Sequence, residues 1–399
     1  MRNGTARDIE HRYLVRPGAA DHQLLERLLT PNLWQQTPVA LDGIVLDASH
    51  AERFDASARE KLLKAGSQVM VDHQVYRLQH ASSTEFASLM SLPYAREQEY
   101  EPDYFRSPDA VQRFVQSALD FQHELKVTDY LAPAFFVDSK DSAWRDVNED
   151  LLRESIRQAG GQVYATICGS LSAVSDGAFV ARITKSGAIG AYVMVSPLRA
   201  TRDPVSKLVQ YVQLLESIHE TGLSVVAARQ PGFGLALLAL GIAGFDSGIA
   251  QAEQFNYPYL VRRRTRSKRG QRQGRSLRVY LANLITTVPV GVARFILSTP
   301  GLRASFSCDQ VCCRDNVTDA IVHNRDHFLW SRLHELKQLR DVHRPWRVRH
   351  YMERVSYAHQ LADKVRKMLP DGEGPRFTHL DTWSRVVETV AAARQAGRH

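Results

Sequence analysis

The chain has few cysteines and no long apolar run, and each absence excludes a class of protein. Its 399 residues include four cysteines, three of them between Cys308 and Cys313, so a disulfide framework is not expected. The first fifteen residues lack the apolar core of a signal peptide. The strongest apolar stretch, residues 233–245, is too short to span a bilayer. We therefore expect a cytoplasmic protein that makes no membrane contact.

The segment 262–278 contains no acidic residues. This segment contains eight arginines and one lysine. Such dense like charge repels itself and indicates a loop, and it could neutralise several phosphates. A nucleic acid is the predicted partner of the segment, and a solvated linker is the alternative. The residues expected to bind the nucleic acid are Arg262, Arg263, Arg264, Arg266, Lys268 and Arg269.

Short apolar runs alternate with helical patterns from about residue 40 onwards. The runs lie at 39–46, 68–71, 130–137, 162–168, 188–195, 224–228 and 242–245, with an eighth candidate at 278–284. This alternation favours a parallel sheet that is covered by helices on both faces. The predicted fold class is α/β, and the predicted fold is a (β/α)8 TIM-like barrel. A doubly wound open sheet is the alternative, but no G-x-G-x-x-G motif follows the first run to support it.

The same pattern divides the chain into three parts. Residues 1–38 are predicted to form an N-terminal extension. Residues 39–300 are predicted to form the barrel, with an insertion at about 79–128 and the basic loop at 262–278. Residues 301–395 are predicted to form a zinc-binding and helical C-terminal region.

Polar residues follow most of the predicted strands, and two of them are aspartates in informative positions. Asp72 follows one apolar run, and Asp246 follows another about 170 residues later. The strand ends of a barrel converge on its C-terminal face, where active sites lie. Two carboxylates at that face suit cleavage of the bond between a sugar and a base. Asp47, Asp138 and Arg229 are further candidates, although a helix cap or an ion pair would also explain each of them.

The cysteine cluster is followed by two histidines. Three thiols, from Cys308, Cys312 and Cys313, and the imidazole of His323 are enough for a closed tetrahedral zinc site. His327 lies one helical turn later and could replace His323. The alternative is that the cysteines pack as small hydrophobic residues. A Zn²⁺ ion held by four protein ligands would be structural, because no position stays open for a substrate.

The order of these motifs resembles that of the tRNA-guanine transglycosylase superfamily, over roughly residues 40–345. The segment 72–76 (DHQVY) resembles the motif D-S-G-G-F-Q-V-F without its two glycines, and 240–246 is similar to the nucleophile motif L-x-x-G-x-D-x-F-D. The segment 168–170 compares with Q-G-G and 192–197 with G-G-L-x-V-G-E. The cysteines compare with C-x-C-x-x-C, and 322–324 matches the closing H-N motif. The chain looks like a divergent paralogue.

The resemblance implies a (β/α)8 barrel enzyme that exchanges a guanine in a nucleic acid for a 7-deazaguanine or a similar base. Asp246 would attack C1′ of the sugar and form a covalent intermediate, while Asp72 would manage the proton on the departing and arriving bases. The partners would be tRNA or DNA and a modified purine-like base, and a homodimer is left open. The substrate-binding residues would be Gln74, Asp138, Gly169, Ser170, Ser196 and Arg229.

Two other functions remain open on the sequence. One is a barrel enzyme that acts on a small molecule, in which case the basic segment would be dispensable for activity. The other is a catalytically inactive module that binds nucleic acid, in which case both aspartates would be dispensable for binding.

Overall fold

Eight parallel strands form a nearly closed barrel. The computed structural model describes residues 12–18, 20–29, 41–80, 87–242, 244–249, 254–260, 277–313, 316, 318–369 and 375–396. The barrel strands are β1 (Arg12–Arg16), β2 (Gly43–Asp47), β3 (Gln68–Asp72), β4 (Tyr130–Leu131), β5 (Val163–Gly169), β6 (Gly190–Val195), β7 (Ser224–Ala227) and β8 (Gly244–Gly248). They pair in the order β3-β2-β1-β8-β7-β6-β5-β4, and the Thr128 N–H before β4 donates to the Val69 carbonyl in β3. The predicted TIM-like fold is confirmed.

The first barrel strand lies where the sequence predicted an extension. β1 pairs with β2 on one side and with β8 on the other, and its three central residues are fully buried. The boundary predicted at residue 39 is therefore wrong, and the barrel includes residues from Arg12 onwards. Only three apolar residues separate the two arginines of β1, which is too few for a strand pattern to stand out.

The segment predicted as an eighth barrel strand belongs to a hairpin beside the barrel. β9 (Arg278–Leu281) pairs antiparallel with β10 (Thr286–Pro289). A 3₁₀ turn (Ala282–Leu284) joins them through Ile285, whose φ of 53° reverses the chain. The predicted extension of the barrel to residue 300 is therefore wrong as well. An apolar run indicates a buried strand, but it does not say which sheet the strand joins.

Helices cover the outside of the barrel. They are α1 (His22–Leu28), α2 (Ala48–Ala51), α3 (Ala56–Lys64), α4 (Ala87–Met90), α5 (Pro108–Glu124), α6 (Trp144–Ala159), α7 (Leu171–Val174), α8 (Gly177–Thr184), α9 (Val205–His219) and α10 (Gly234–Ala239). α5 buries Val111, Phe114 and Ala118 on one face and packs against α6, as the covering helix of a barrel does. The insertion predicted at 79–128 therefore ends before Pro108.

The C-terminal helices share the core of the barrel. They are α11 (Val290–Ser298), α12 (Pro300–Phe306), α13 (Asp319–Val322), α14 (Asn324–Asp341), α15 (Arg347–Met368) and α16 (Thr378–Ala396). In α16, the indole N–H of Trp383 donates to the carbonyl of Ala200 at 2.7 Å. The same ring would lie 2.5 Å from a Cβ atom at Gly232, so a side chain there would displace α16.

One buried ion network ties the hairpin to these helices, and we call it the Glu335 network. The Glu335 carboxylate accepts from the Tyr280 hydroxyl at 2.8 Å and from Arg354. Arg332, one turn earlier on α14, lies 3.2 Å from the same carboxylate. Arg332 and Glu335 are almost completely buried. Breaking such a pair is costly because it leaves an uncompensated charge in the core.

Candidate active site at the barrel mouth

Five charged residues meet at the C-terminal face of the barrel, and we call them the mouth cluster. Arg16, Asp47 and Asp72 are the last residues of β1, β2 and β3. Asp246 lies in β8, and Arg229 follows β7. Parallel strands of a barrel bring such ends to one face. The cluster is largely closed to solvent, since Arg16, Asp72 and Asp246 are all nearly or fully buried.

Asp246 is held from three directions. One carboxylate oxygen accepts from Arg16 Nε at 3.3 Å and from the backbone N–H of Arg229 at 3.0 Å. The other accepts from Arg16 Nη2 at 3.3 Å and from the Tyr192 hydroxyl. The side chain is therefore fixed in orientation and paired with a guanidinium group on one edge.

Asp72 is held by the same guanidinium group. One carboxylate oxygen lies 3.2 Å from Arg16 Nη1 and 3.4 Å from Arg229 Nη2, and it accepts from the Tyr76 hydroxyl at 3.3 Å. The other accepts from the backbone N–H of Gln74 at 3.0 Å. The two aspartates predicted from the sequence therefore converge, and Arg16 lies between them.

Arg16 and Asp47 both stay charged in spite of their burial. Burial disfavours the charge on Arg16, but Asp246 and other acidic neighbours outweigh it and hold the pKa well above the ordinary arginine value. Burial likewise raises the pKa of Asp47, but Arg16 and Arg229 outweigh it, so the pKa lies below the usual aspartate value. Arg229 Nη2 lies 3.0 Å from the Asp47 carboxylate. The cluster thus contains three carboxylates and two guanidinium groups in direct contact.

Two residues of the mouth have a left-handed backbone without being glycine. Gln74 has a φ of 58° and Arg229 has a φ of 57°, a conformation that costs about 1–2 kcal/mol for an L-residue. In each, the backbone N–H donates to a carboxylate: Gln74 to Asp72, and Arg229 to Asp246. Strained conformations of this kind cluster at functional sites, and here the strain aims donors at the two aspartates.

Aromatic residues of the segment 254–260 cover the barrel interior on this face. The Phe255 ring lies 4.9 Å from that of Tyr76, and the Tyr257 ring stacks on Phe136 at 3.8 Å. The Tyr257 backbone N–H donates to the Ser196 hydroxyl at 2.7 Å. Ser196, predicted to bind substrate, therefore anchors this cover in the structure.

The other predicted substrate-binding residues fall into two groups. Gln74 and Arg229 lie at the mouth cluster. Asp138 is exposed, and Ser170 caps α7 through the Ala173 N–H and donates to the Asp138 carbonyl at 2.8 Å. Gly169 lies against the Val137 carbonyl, 2.4 Å from where its Cβ atom would be. None of the hydrogen bonds described for Asp138, Gly169 and Ser170 reaches the mouth cluster, and the contacts that they do make are structural.

Sequence reasoning missed two residues of the site. Arg16 lies in the part of the chain that was predicted to be an extension. Its signal was a basic residue at the end of a short β-rich run, directly before Pro17 and Gly18. Tyr192 was noted only as part of a loop comparison, and nothing in the local pattern showed that its hydroxyl reaches Asp246.

The predicted nucleic-acid-binding residues Arg262, Arg263, Arg264, Arg266, Lys268 and Arg269 lie outside the described residues. Arg278, the last residue of the basic segment, is half-buried in the hairpin, and its Nε donates to the Thr287 hydroxyl at 3.0 Å. Arg278 therefore stabilises the hairpin.

Three cysteines and one histidine form a compact group beside the hairpin. The potential ligand atoms of Cys308, Cys312, Cys313 and His327 all lie within 4.8 Å of one another, and Cys313 Sγ is 3.4 Å from His327 Nδ1. The other ring nitrogen of His327 donates to the Tyr280 carbonyl at 2.9 Å, so in the neutral imidazole Nδ1 is the acceptor that faces the thiols. The group could hold a metal ion, and no disulfide is formed.

The prediction that His323 is the fourth ligand is wrong, because His327 is the histidine that lies with the three cysteines. His323 is exposed and precedes the first residue of α14, whereas His327 is buried one turn inside the same helix. Residues four apart on a helix share a face, but His323 lies before the helix begins and is exposed to solvent. The His327 side chain lies within the helix and contacts the hairpin and the cysteines.

Comparison of the chain with models of known protein families gives no match, and comparison with curated proteins gives none either. The described helices include none with the length and apolar character required to cross a membrane.

Proposed function

We propose that the protein exchanges a base in a nucleic acid, replacing a guanine by a 7-deazaguanine or a similar base. The observation that carries this proposal is the convergence of Asp72 and Asp246 on one guanidinium group at the barrel mouth. Base exchange with retained configuration needs one carboxylate as nucleophile and one as acid and base. The resemblance of the motifs that contain these aspartates to those of the transglycosylases points to the same reaction.

In the proposed reaction, an Asp246 oxygen attacks C1′ as the bond between C1′ and the base nitrogen breaks. Asp72 acts as the acid that gives a proton to the departing base and regains one from the arriving base, so that it ends each turnover in the form in which it began. The arriving base then loses a proton to Asp72 and attacks C1′, which releases Asp246. The backbone N–H of Arg229 and the hydroxyl of Tyr192 orient Asp246 for the attack, since both already donate to it.

A nucleic acid is the proposed substrate because of where the basic segment begins. Residues 254–260 are anchored over the barrel mouth through Tyr257 and Phe255, and Arg262 follows Leu260 by two positions. Arginines that follow this cover so closely in sequence could hold the phosphates on either side of a nucleotide that has left its stack.

The test is incorporation of labelled guanine, and then of labelled 7-deazaguanines, into tRNA and into double-stranded DNA. We expect label to enter one polymer, to be lost with Asp246→Asn, and to fall by about 10²–10⁴-fold with Asp72→Asn. Asp203→Asn is the matched control, because Asp203 is also buried and ion-paired, with Lys207 at 2.9 Å. Undiminished exchange with Asp246→Asn would contradict the mechanism.

The second candidate is a nucleic-acid-binding module without chemistry. The complete pairing of Asp246, which has no exposed surface, favours it. Salt-dependent binding of DNA or tRNA, together with no label incorporation by the wild type, would identify this function.

We also propose that the cysteine–histidine group holds a structural Zn²⁺ ion. Three thiolates and one imidazole are a soft ligand set that zinc prefers in closed tetrahedral sites. The Tyr280 carbonyl that orients His327 is the outer partner that metal-bound histidines usually have. Four protein ligands leave no position for a substrate, so this site would stabilise the C-terminal region. Elemental analysis should find one zinc per chain.

A further inference from the structure

The guanidinium group of Arg16 occupies the gap between the two aspartates. Its Nη1 atom contacts Asp72 at 3.2 Å, and its Nε and Nη2 atoms contact Asp246 at 3.3 Å. In the proposed exchange, the sugar must contact Asp246 while the base that it carries is within reach of Asp72. A nucleotide and the Arg16 guanidinium therefore need the same space.

The chemistry of the two occupants is alike. The transition state at C1′ resembles a planar oxocarbenium ion, with positive charge shared between carbon and oxygen. A guanidinium group is also planar, with a delocalised positive charge. A gap lined by carboxylates that accommodates a guanidinium group can therefore also accommodate the oxocarbenium ion. While no substrate is bound, the buried Arg16 neutralises the carboxylates.

We propose that Arg16 is a displaceable occupant of the sugar subsite, which leaves the gap between Asp72 and Asp246 when the nucleotide enters. This inference rests on the proposed base exchange and concerns how the same site is controlled. It assigns the subsite for the ribosyl or deoxyribosyl group to the space that the Arg16 guanidinium fills. It also gives Arg16 a role that no local sequence motif indicates.

Both aspartates keep donors when Arg16 leaves. Asp246 retains the Arg229 N–H and the Tyr192 hydroxyl. Asp72 retains the Gln74 N–H at 3.0 Å, the Tyr76 hydroxyl at 3.3 Å and Arg229 Nη2 at 3.4 Å. The carboxylates would therefore hold their orientation without Arg16, which is what displacement requires.

The test removes the side chain and returns its head group as a free solute. Arg16→Ala should open the subsite, and millimolar guanidinium chloride should raise the Tm of this variant by several degrees, because the ion refills the gap. The wild type should not respond. The matched control is Arg12→Ala, on the same strand but at its other end, where Arg12 bonds to Gln68 at 3.2 Å.

Kinetics separate displacement from direct participation in the chemistry. If Arg16 must leave, Arg16→Ala exchanges base with a KM for nucleic acid about tenfold below that of the wild type, and guanidinium raises this KM without changing kcat. If instead guanidinium restores a lost kcat, then Arg16 acts in place during the reaction and the proposal is overturned.

Binding of a small cation separates failure of this inference from failure of the base exchange. The probe is 1,4-dideoxy-1,4-imino-D-ribitol, a cationic ribose analogue, measured by calorimetry. It should bind Arg16→Ala at least tenfold more tightly than the wild type and compete with guanidinium, even if no exchange is found with any base. Equal affinity for both proteins would refute displacement, whatever the activity.

Arg16→Lys covers the case in which the alanine variant does not fold. Lysine keeps a positive charge but lacks the planar fork that contacts both aspartates. Displacement predicts a lower KM for nucleic acid and tighter binding of the iminoribitol than in the wild type. An unchanged KM with a reduced kcat would overturn the proposal.

Discussion

Arg16 and Arg332 are both buried against acidic side chains, and their surroundings differ. Arg332 lies in the Glu335 network, where one carboxylate meets two guanidinium groups and a tyrosine. Arg332 and Glu335 are neighbours on one regular helix. Arg16 lies in the mouth cluster, where three carboxylates meet two guanidinium groups. The members of this cluster lie in or directly after five different strands of the barrel.

The mouth cluster contains more charged groups than the Glu335 network, and strained backbone lies beside it. Its carboxylates outnumber the guanidinium groups that contact them, and Gln74 and Arg229 have left-handed backbones. The Glu335 network has neither feature. Sequences usually break local rules of this kind where function requires it. The comparison therefore supports chemistry at the mouth and a structural role for the Glu335 network.

Removal of His327, the proposed zinc ligand, should affect the stability of the C-terminal region most strongly. We expect His327→Ala to lose bound zinc and several kcal/mol of folding free energy, which corresponds to a Tm decrease on the order of 10 °C. His323→Ala is the matched control and should keep both its zinc and its Tm. Elemental analysis and thermal unfolding measure the difference. Zinc lost from His323→Ala but retained by His327→Ala would reverse the assignment.

Glu335→Gln tests the comparison directly. Because this change leaves the buried guanidinium group of Arg332 and the partly buried one of Arg354 without a carboxylate, we expect a loss of about 3–5 kcal/mol in the free energy of unfolding. Asp246→Asn should lose less than half of that, since Arg16 keeps Asp47 and Asp72 as partners. Denaturant titration of both variants measures the two losses. Equal losses would mean that the mouth cluster is as structural as the Glu335 network.

The pH dependence of stability should come largely from two buried histidines, one beside the mouth cluster and one in α16. Burial lowers the pKa of His73, beside the mouth, and that of His379, in α16, to about 4. The unfolded chain takes up these protons near pH 6.5, but the folded protein does not. Stability is therefore lost as the pH falls from about 6.5 to about 4, by about 3 kcal/mol for each histidine.

Denaturant titrations between pH 7 and pH 4.5 measure this slope. His379→Gln should reduce the slope by about half while leaving base exchange unchanged. A slope that is the same in the variant and in the wild type would show that His379 is not the titrating group.

The smallest expected effect concerns backbone strain. Lys126 has a φ of 54° at the end of α5 and an exposed side chain, so Lys126→Gly should raise stability by about 1 kcal/mol without affecting activity. Gln74→Gly should reduce base exchange without a comparable gain, because the Gln74 side chain accepts from the Ser49 N–H at 3.2 Å. Equal gains in both variants would argue against a functional role for the strain at Gln74.

The predictions from the sequence differ in quality for physical reasons. Seven of the predicted strand positions coincide with barrel strands, because an apolar run bounded by polar residues is a local property. The eighth position, at 278–284, is a hairpin strand, since its pairing depends on β10 and not on its own composition. Asp72 and Asp246 were found because each follows an apolar run. Asp138 and Ser170 also follow apolar runs, but their roles are structural. Ser170 caps α7, and its hydroxyl donates to the backbone carbonyl of Asp138.

The sequence by itself determined the alternation of strands and helices, the positions of Asp72 and Asp246, and the group of three cysteines. Only the tertiary structure decided that Arg16 lies between the two aspartates and that His327, rather than His323, faces the cysteines. Arg16 and Asp246 are 230 residues apart in the chain. Their contact depends on how β1 and β8 pair, and periodicity or composition within one segment carries no information about the distance to another segment.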